Sequence, residues 1–179
     1  SRILEDELMR ANIPYKIIGG TRFYDRKEIK DVIAYLRLAA YPHDEISLKR
    51  VLNVPARGIG KKAMELLEQE AAKRKSWDET LRHAPEIADL TPRVKNAIVQ
   101  FHRWLSKIRQ ERKKLDVRQL LEKILDETGY ITALQSERTV ESQARLENIE
   151  EFFSVIEDFE DRSDRSEEHT SELQSHHPI

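Results

Sequence analysis

Six consecutive residues, Arg57-Gly58-Ile59-Gly60-Lys61-Lys62, combine the residue types that a polyanion-binding turn needs. Two glycines let the backbone approach a ligand with no Cβ in the way. A helix starting at Lys61 would aim free N–H groups and the positive end of its dipole at a phosphate. Arg57, Lys61 and Lys62 put three cations within six residues, which suits contact with a nucleic-acid backbone and reads no base sequence. Ile59 is expected to point inward and hold the turn. Leu48, Val51 and Leu52 lie before the turn, and Ala63, Leu66 and Leu67 lie after it. That is the pattern of a helix-hairpin-helix nucleic-acid module. The alternative is a tight helix–helix connection with solvated lysines. Pro55 ahead of the glycines, the basic flanks and the two apolar helices favour phosphate contact.

No other set of residues supports chemistry. There is no Gly-x-x-x-x-Gly-Lys-Ser/Thr phosphate loop, because position 55, where Gly60-Lys61 would need its partner glycine, is Pro. Gly19-Gly20 has no following Gly-Lys. With no Cys, a thiolate metal site and a cysteine nucleophile are excluded. His43, His83 and His102 stand apart from one another and read as surface or capping residues. The carboxylates of Glu5, Asp6 and Glu7, and of Glu147, Glu150 and Glu151, read as solvated helix faces. Trp77, Phe101 and Trp104 sit at amphipathic spacing and read as core. The residues therefore predict no catalytic, cofactor or metal site within this chain.

The elements that would position the turn follow from periodicity. The sequence has 179 residues, 36% of them charged, 39% hydrophobic, and only five Gly. A globular chain averages about 25% charged residues, so the mix favours helices with charged outer faces. Ile3, Leu4, Leu8 and Ala11 predict an opening helix, stopped at Asn12-Ile13-Pro14. Tyr15 to Ile18 reads as a short strand ending at Gly19-Gly20. Helices are then expected over 25–40, 45–52, 61–75, 77–83, 91–115, 117–128, 130–136 and 139–160. Thr91-Pro92 supplies a capping hydroxyl and a first-turn proline, and Gly129 a left-handed stop. The fold class is mainly α, with one short strand. No stretch approaches 18 uninterrupted apolar residues, so no membrane span is expected, and the expected setting is the cytoplasm.

Both ends look unlike those of a natural whole. The chain opens without Met inside an amphipathic helix, which suggests an upstream element. Residues 165–175 show one apolar residue in eleven and read like the in-frame translation of a common sequencing-adapter DNA. Residues 165–179 are therefore expected to be a non-native, disordered tail. The formal net charge is -2. The tail carries one Arg and three Glu, so the remainder is charge-balanced and any nucleic-acid contact must be local.

A series of segments then resembles the UvrD/PcrA/Rep superfamily 1 DNA helicases. They are Ser1-Arg2-Ile3-Leu4-Glu5, Ile13 to Gly20, Phe23 to Asp31, Ala34-Tyr35-Leu36-Arg37, Asn53 to Gly60 and Arg145 to Phe152, in order from residue 1 to about 160. The resemblance implies a piece of a larger motor. Residues 1–30 would be part of the RecA-like motor domain 2A, and residues 31–164 the helical 2B domain. In such helicases the Gly-Ile-Gly turn grips duplex DNA ahead of the fork, so Gly58, Ile59 and Gly60 carry over as DNA contacts, with Arg57, Lys61 and Lys62 added on electrostatic grounds. Glu28-Ile29-Lys30-Asp31 matches a motif near the 2A/2B junction and reads as a structural or coupling element.

The implied parent is an ATP-dependent 3′-to-5′ helicase for unwinding and repair. ATP and Mg2+ would bind outside this segment, which alone is expected to be inactive. Its implied partners are duplex DNA at a single-strand/duplex junction, the rest of the motor, and other proteins. A helical protein-interaction or autoinhibitory module with weak DNA contact is the competing reading, suited by the acidic faces around 141–160.

Overall fold

The computed structural model describes the backbone of residues 22–175 and the side chains of residues 22–164. The expected opening helix and the strand at Tyr15–Ile18 lie outside the described residues. Those described form helices, with no strand among them. In chain order these are α1 (Arg22–Asp25), α2 (Lys27–Ala40), α3 (Glu45–Val51), α4 (Lys61–Arg74), α5 (Trp77–Arg82), α6 (Pro92–Glu111), α7 (Val117–Glu127), α8 (Tyr130–Glu137) and α9 (Val140–Ser175). Single 3-10 turns at Ala84–Glu86 and Arg112–Lys114 lead into and out of α6.

Several helix starts are set by side chains that satisfy the orphan N–H groups of a first helical turn. Asp44 accepts from the Ser47 N–H (3.1 Å) to open α3, Ser76 from Glu79 (3.1 Å) to open α5, and Thr91 from Val94 (3.3 Å) to open α6. Asp116 and Gln119 form a reciprocal capping box at α7, with distances of 2.8 and 3.1 Å. Gly129 follows α7 with φ +74°, as its left-handed stop requires. The helix expected from residue 25 is divided: Arg26 is extended (φ -68°, ψ 139°), which separates α1 from α2.

Helix α2 lies at the centre, packed against α3, α6, α7 and α9. Ile29, Val32, Tyr35 and Leu38 are its inward face. They meet Val51 of α3 and Leu52 just after it, Ile98, Phe101 and Ile108 of α6, Leu121 and Ile124 of α7, and Phe152 of α9 in one apolar core. Trp77 and Phe101 are buried in that core and Trp104 packs on it, so their amphipathic spacing does reflect packing.

Helix α9 runs beyond the expected end near 160 and continues to Ser175. Among the residues whose side chains are described, its last buried apolar residue is Ile156. Past that point no Gly or Pro interrupts the sequence before Pro178. Apolar periodicity marks where a helix is buried, not where it ends. No helix among the described residues is long and apolar enough to cross a membrane.

Candidate nucleic-acid interface

The link between α3 and α4 is built around one side chain that periodicity does not single out. Asn53 Oδ1 accepts from the backbone N–H of Arg57 (2.7 Å) and again from that of Ile59 (3.1 Å). Asn and Asp close loops in this way because a short polar side chain can stand in for a backbone acceptor. Ile59 then drops into the core at 1% exposure, as its place between the glycines predicts. Pro55 follows a cis peptide bond.

Gly58 sits at φ +80°, where an L side chain is strained, while the space around its Cβ position is empty. G58A is therefore expected to cost only the backbone term, about 1 kcal/mol. Chemical denaturation should show that loss, and thermal unfolding a fall of roughly 2–4 °C. A larger loss would mean that the added methyl meets something. Gly60 has φ -83° and open space at its Cβ position, so it leaves the start of α4 uncovered.

That start is bare. Gly60 provides no side-chain cap, and the first turn of α4 holds no acidic residue. Lys61 and Lys62 are exposed and enter no ion pair with a described residue. Uncompensated N–H groups, the dipole's positive end and two solvated cations therefore converge on one surface.

Arg57 belongs to the same turn but points elsewhere. Its Nη1 donates to the carbonyls of Val51 (2.7 Å) and Leu52 (2.8 Å), and its Nη2 to the Tyr35 hydroxyl (2.6 Å). Its guanidinium lies over the Phe101 ring, 4.6 Å from the centroid. Tyr35 in turn donates to the Val54 carbonyl. Burial pushes the Tyr35 hydroxyl above its ordinary range, against the opposing pull of Arg57, so it stays a donor. The structure thus brings Gly58, Gly60, Lys61 and Lys62 to the surface together, and turns Ile59 and the Arg57 head group inward.

Glu28 and Asp31 are both buried. Asp31 Oδ1 accepts from Arg50 Nε at 2.9 Å and Oδ2 from the Tyr130 hydroxyl at 2.8 Å. Glu28 accepts from Asn148 at 3.1 Å. Burial and then the Asp31 charge raise the Tyr130 pKa, which keeps that hydroxyl protonated. Four helices, α2, α3, α8 and α9, are tied by this cluster, so the structural reading of the Glu28–Asp31 motif has a physical basis. His102 is paired as well: its Nε2 lies 3.0 Å from Asp78 Oδ1, with Arg109 also near that carboxylate. Among the described residues no group of His, Asp and Glu is arranged to hold a metal ion.

Residues 1–176 match the UvrD-like helicase C-terminal domain, and the chain belongs to that family. It is similar to the ATP-dependent DNA helicase PcrA of Bacillus subtilis (strain 168), with 41% identity over 165 residues, 92% of this chain and 22% of that relative. The PcrA proteins of Staphylococcus aureus (strain Mu50) and Staphylococcus epidermidis (strain RP62A) are 38% identical over 169 residues, 94% of this chain and 23% of each relative. The chain spans about a fifth of the length of the curated relatives it matches.

Proposed function

We propose that this chain is the 2B-containing part of an ATP-dependent 3′-to-5′ DNA helicase. In it the α3–α4 turn grips duplex DNA ahead of a single-strand/duplex junction, and the domain regulates the motor to which it belongs. The observation that carries this reading is the uncapped start of α4, flanked by exposed Lys61 and Lys62 and approached through Gly58 and Gly60. Phosphates fit such a surface, and contact with them is independent of base sequence. Arg57 and Ile59 belong to the element from its inner side.

Residues 1–30 are assigned to motor domain 2A, 31–164 to 2B, and 165–179 to a non-native tail, whose residues 165–175 hold one apolar side chain in eleven. ATP and Mg2+ are assigned to the parent outside this chain, whose sequence holds no phosphate loop. The rest of the motor and duplex DNA are its partners, and a DNA-unwinding role sets its work in the cytoplasm.

Titration of a fluorescent duplex with the purified chain tests the reading. Saturable binding that weakens linearly in log–log with salt and is indifferent to sequence is the expected result. No saturable signal at low salt would leave the protein-interaction module as the better account. The chain alone should turn over no ATP, and measurable turnover would overturn the assignment of the ATP site to other parts of the parent.

A further inference from the structure

Of the three cations in the turn, only Arg57 is drawn into the fold. Three hydrogen bonds from its two terminal nitrogens go to protein acceptors, two of them carbonyls at the C-terminal end of α3. The helix does not continue past those carbonyls, of which Val51 also takes the Val54 N–H (3.0 Å), and a cation there meets the negative end of the helix dipole. The third acceptor, Tyr35 of α2, is 1% exposed and donates onward to Val54 within the turn. Phe101 of α6 supports the guanidinium face. Trp104 stands edge-on to Tyr35, with ring centroids 5.9 Å apart. One guanidinium thus joins α2, the end of α3 and α6 at the point where the chain turns toward Gly58.

We propose that Arg57 is a positioning residue: with Tyr35 it fixes the 53–60 turn so that Gly58, Gly60 and the first turn of α4 meet phosphate, and it makes no phosphate contact itself. This rests on the duplex-binding reading above. The geometry requires a planar fork. A lysine at 57 would keep the charge, yet a single ammonium cannot span the Val51 and Leu52 carbonyls and the Tyr35 hydroxyl while lying on Phe101. Tyr35 extends the same logic to an uncharged, buried side chain that DNA cannot reach.

The test is a salt series of duplex titrations on the full chain, with Y35F, R57K, R57A and K61A/K62A, each first checked for native helicity and unfolding temperature. A phosphate contact contributes about 0.9 to the slope of log affinity against log salt, so loss of a positioning residue should lower affinity and leave the slope alone. Y35F is expected to bind roughly three- to tenfold more weakly with an unchanged slope. R57K should lose as much as R57A, and K61A/K62A should flatten the slope by about 2. Wild-type affinity in Y35F, rescue by R57K, or a slope reduced by about 1 in R57A would each overturn the positioning role. If R57A does not fold, Y35F and R57K still decide it. No salt-dependent binding by the unaltered chain, or an unchanged slope in K61A/K62A, would instead overturn the duplex-binding reading, whatever Tyr35 and Arg57 do.

Discussion

K61E/K62E is expected to abolish duplex binding at moderate salt and, at the same time, to raise the unfolding temperature. The two effects have one cause. Lys61 and Lys62 occupy the first turn of α4, where a cation opposes the helix dipole and an anion complements it by about 0.3–1 kcal/mol per residue. Neither lysine is held by an ion pair with a described residue, and the same turn has no acidic side chain to compensate. Charge reversal therefore removes an unfavourable term and adds a favourable one, worth roughly 1 kcal/mol in all and about 2–4 °C. For DNA the sign inverts: two attractive charges become two repulsive ones at the surface that phosphate must reach, and the salt slope should fall by at least about 2. Duplex titration and thermal unfolding on the same preparation check both. A lower unfolding temperature would mean that the lysines serve the fold, and intact binding would mean that DNA does not use this end of α4.

The opposite signs bear on why the turn could be read from the residues at all. Gly58, Gly60, Lys61 and Lys62 break local preference: two glycines where a helix should begin, and cations where its dipole wants anions. Such local conflict is visible in one dimension. So are the caps, since Asp44, Ser76, Thr91 and Asp116 each act within three residues. What holds the turn from inside is not visible. Arg57 reaches Tyr35 across 22 positions and Tyr130 reaches Asp31 across 99, and neither pairing leaves a spacing to detect. Arg57 consequently reads as one more basic residue beside the lysines, although its head group turns away from them. Asn53 is hidden for a similar reason: a local Asx turn reaches two residues on, whereas its side chain reaches Arg57 four residues on and Ile59 six.

R50A is expected to cost the fold about 2–3 kcal/mol, seen as a fall of roughly 4–12 °C in unfolding temperature, with little change in the salt slope of DNA binding. The Asp31 side chain is 2% exposed and has two partners, the Arg50 guanidinium and the Tyr130 hydroxyl. Removing Arg50 leaves a buried carboxylate with one neutral donor, and an uncompensated buried charge costs more than the pair contributes when intact. The figure is set below the usual range for buried pairs because the Arg50 side chain is itself 34% exposed, so water can enter where it leaves. Arg50 also donates to the Lys27 carbonyl at 3.3 Å, which fastens the first turn of α2 to α3. The decisive comparison is D31N/R50A. With the charge gone, the second substitution has little left to strand, so the double variant should be clearly more stable than the sum of the single losses predicts. Strict additivity would show that the two residues act separately, and α2 would then need some other tie to the helix that leads into the turn.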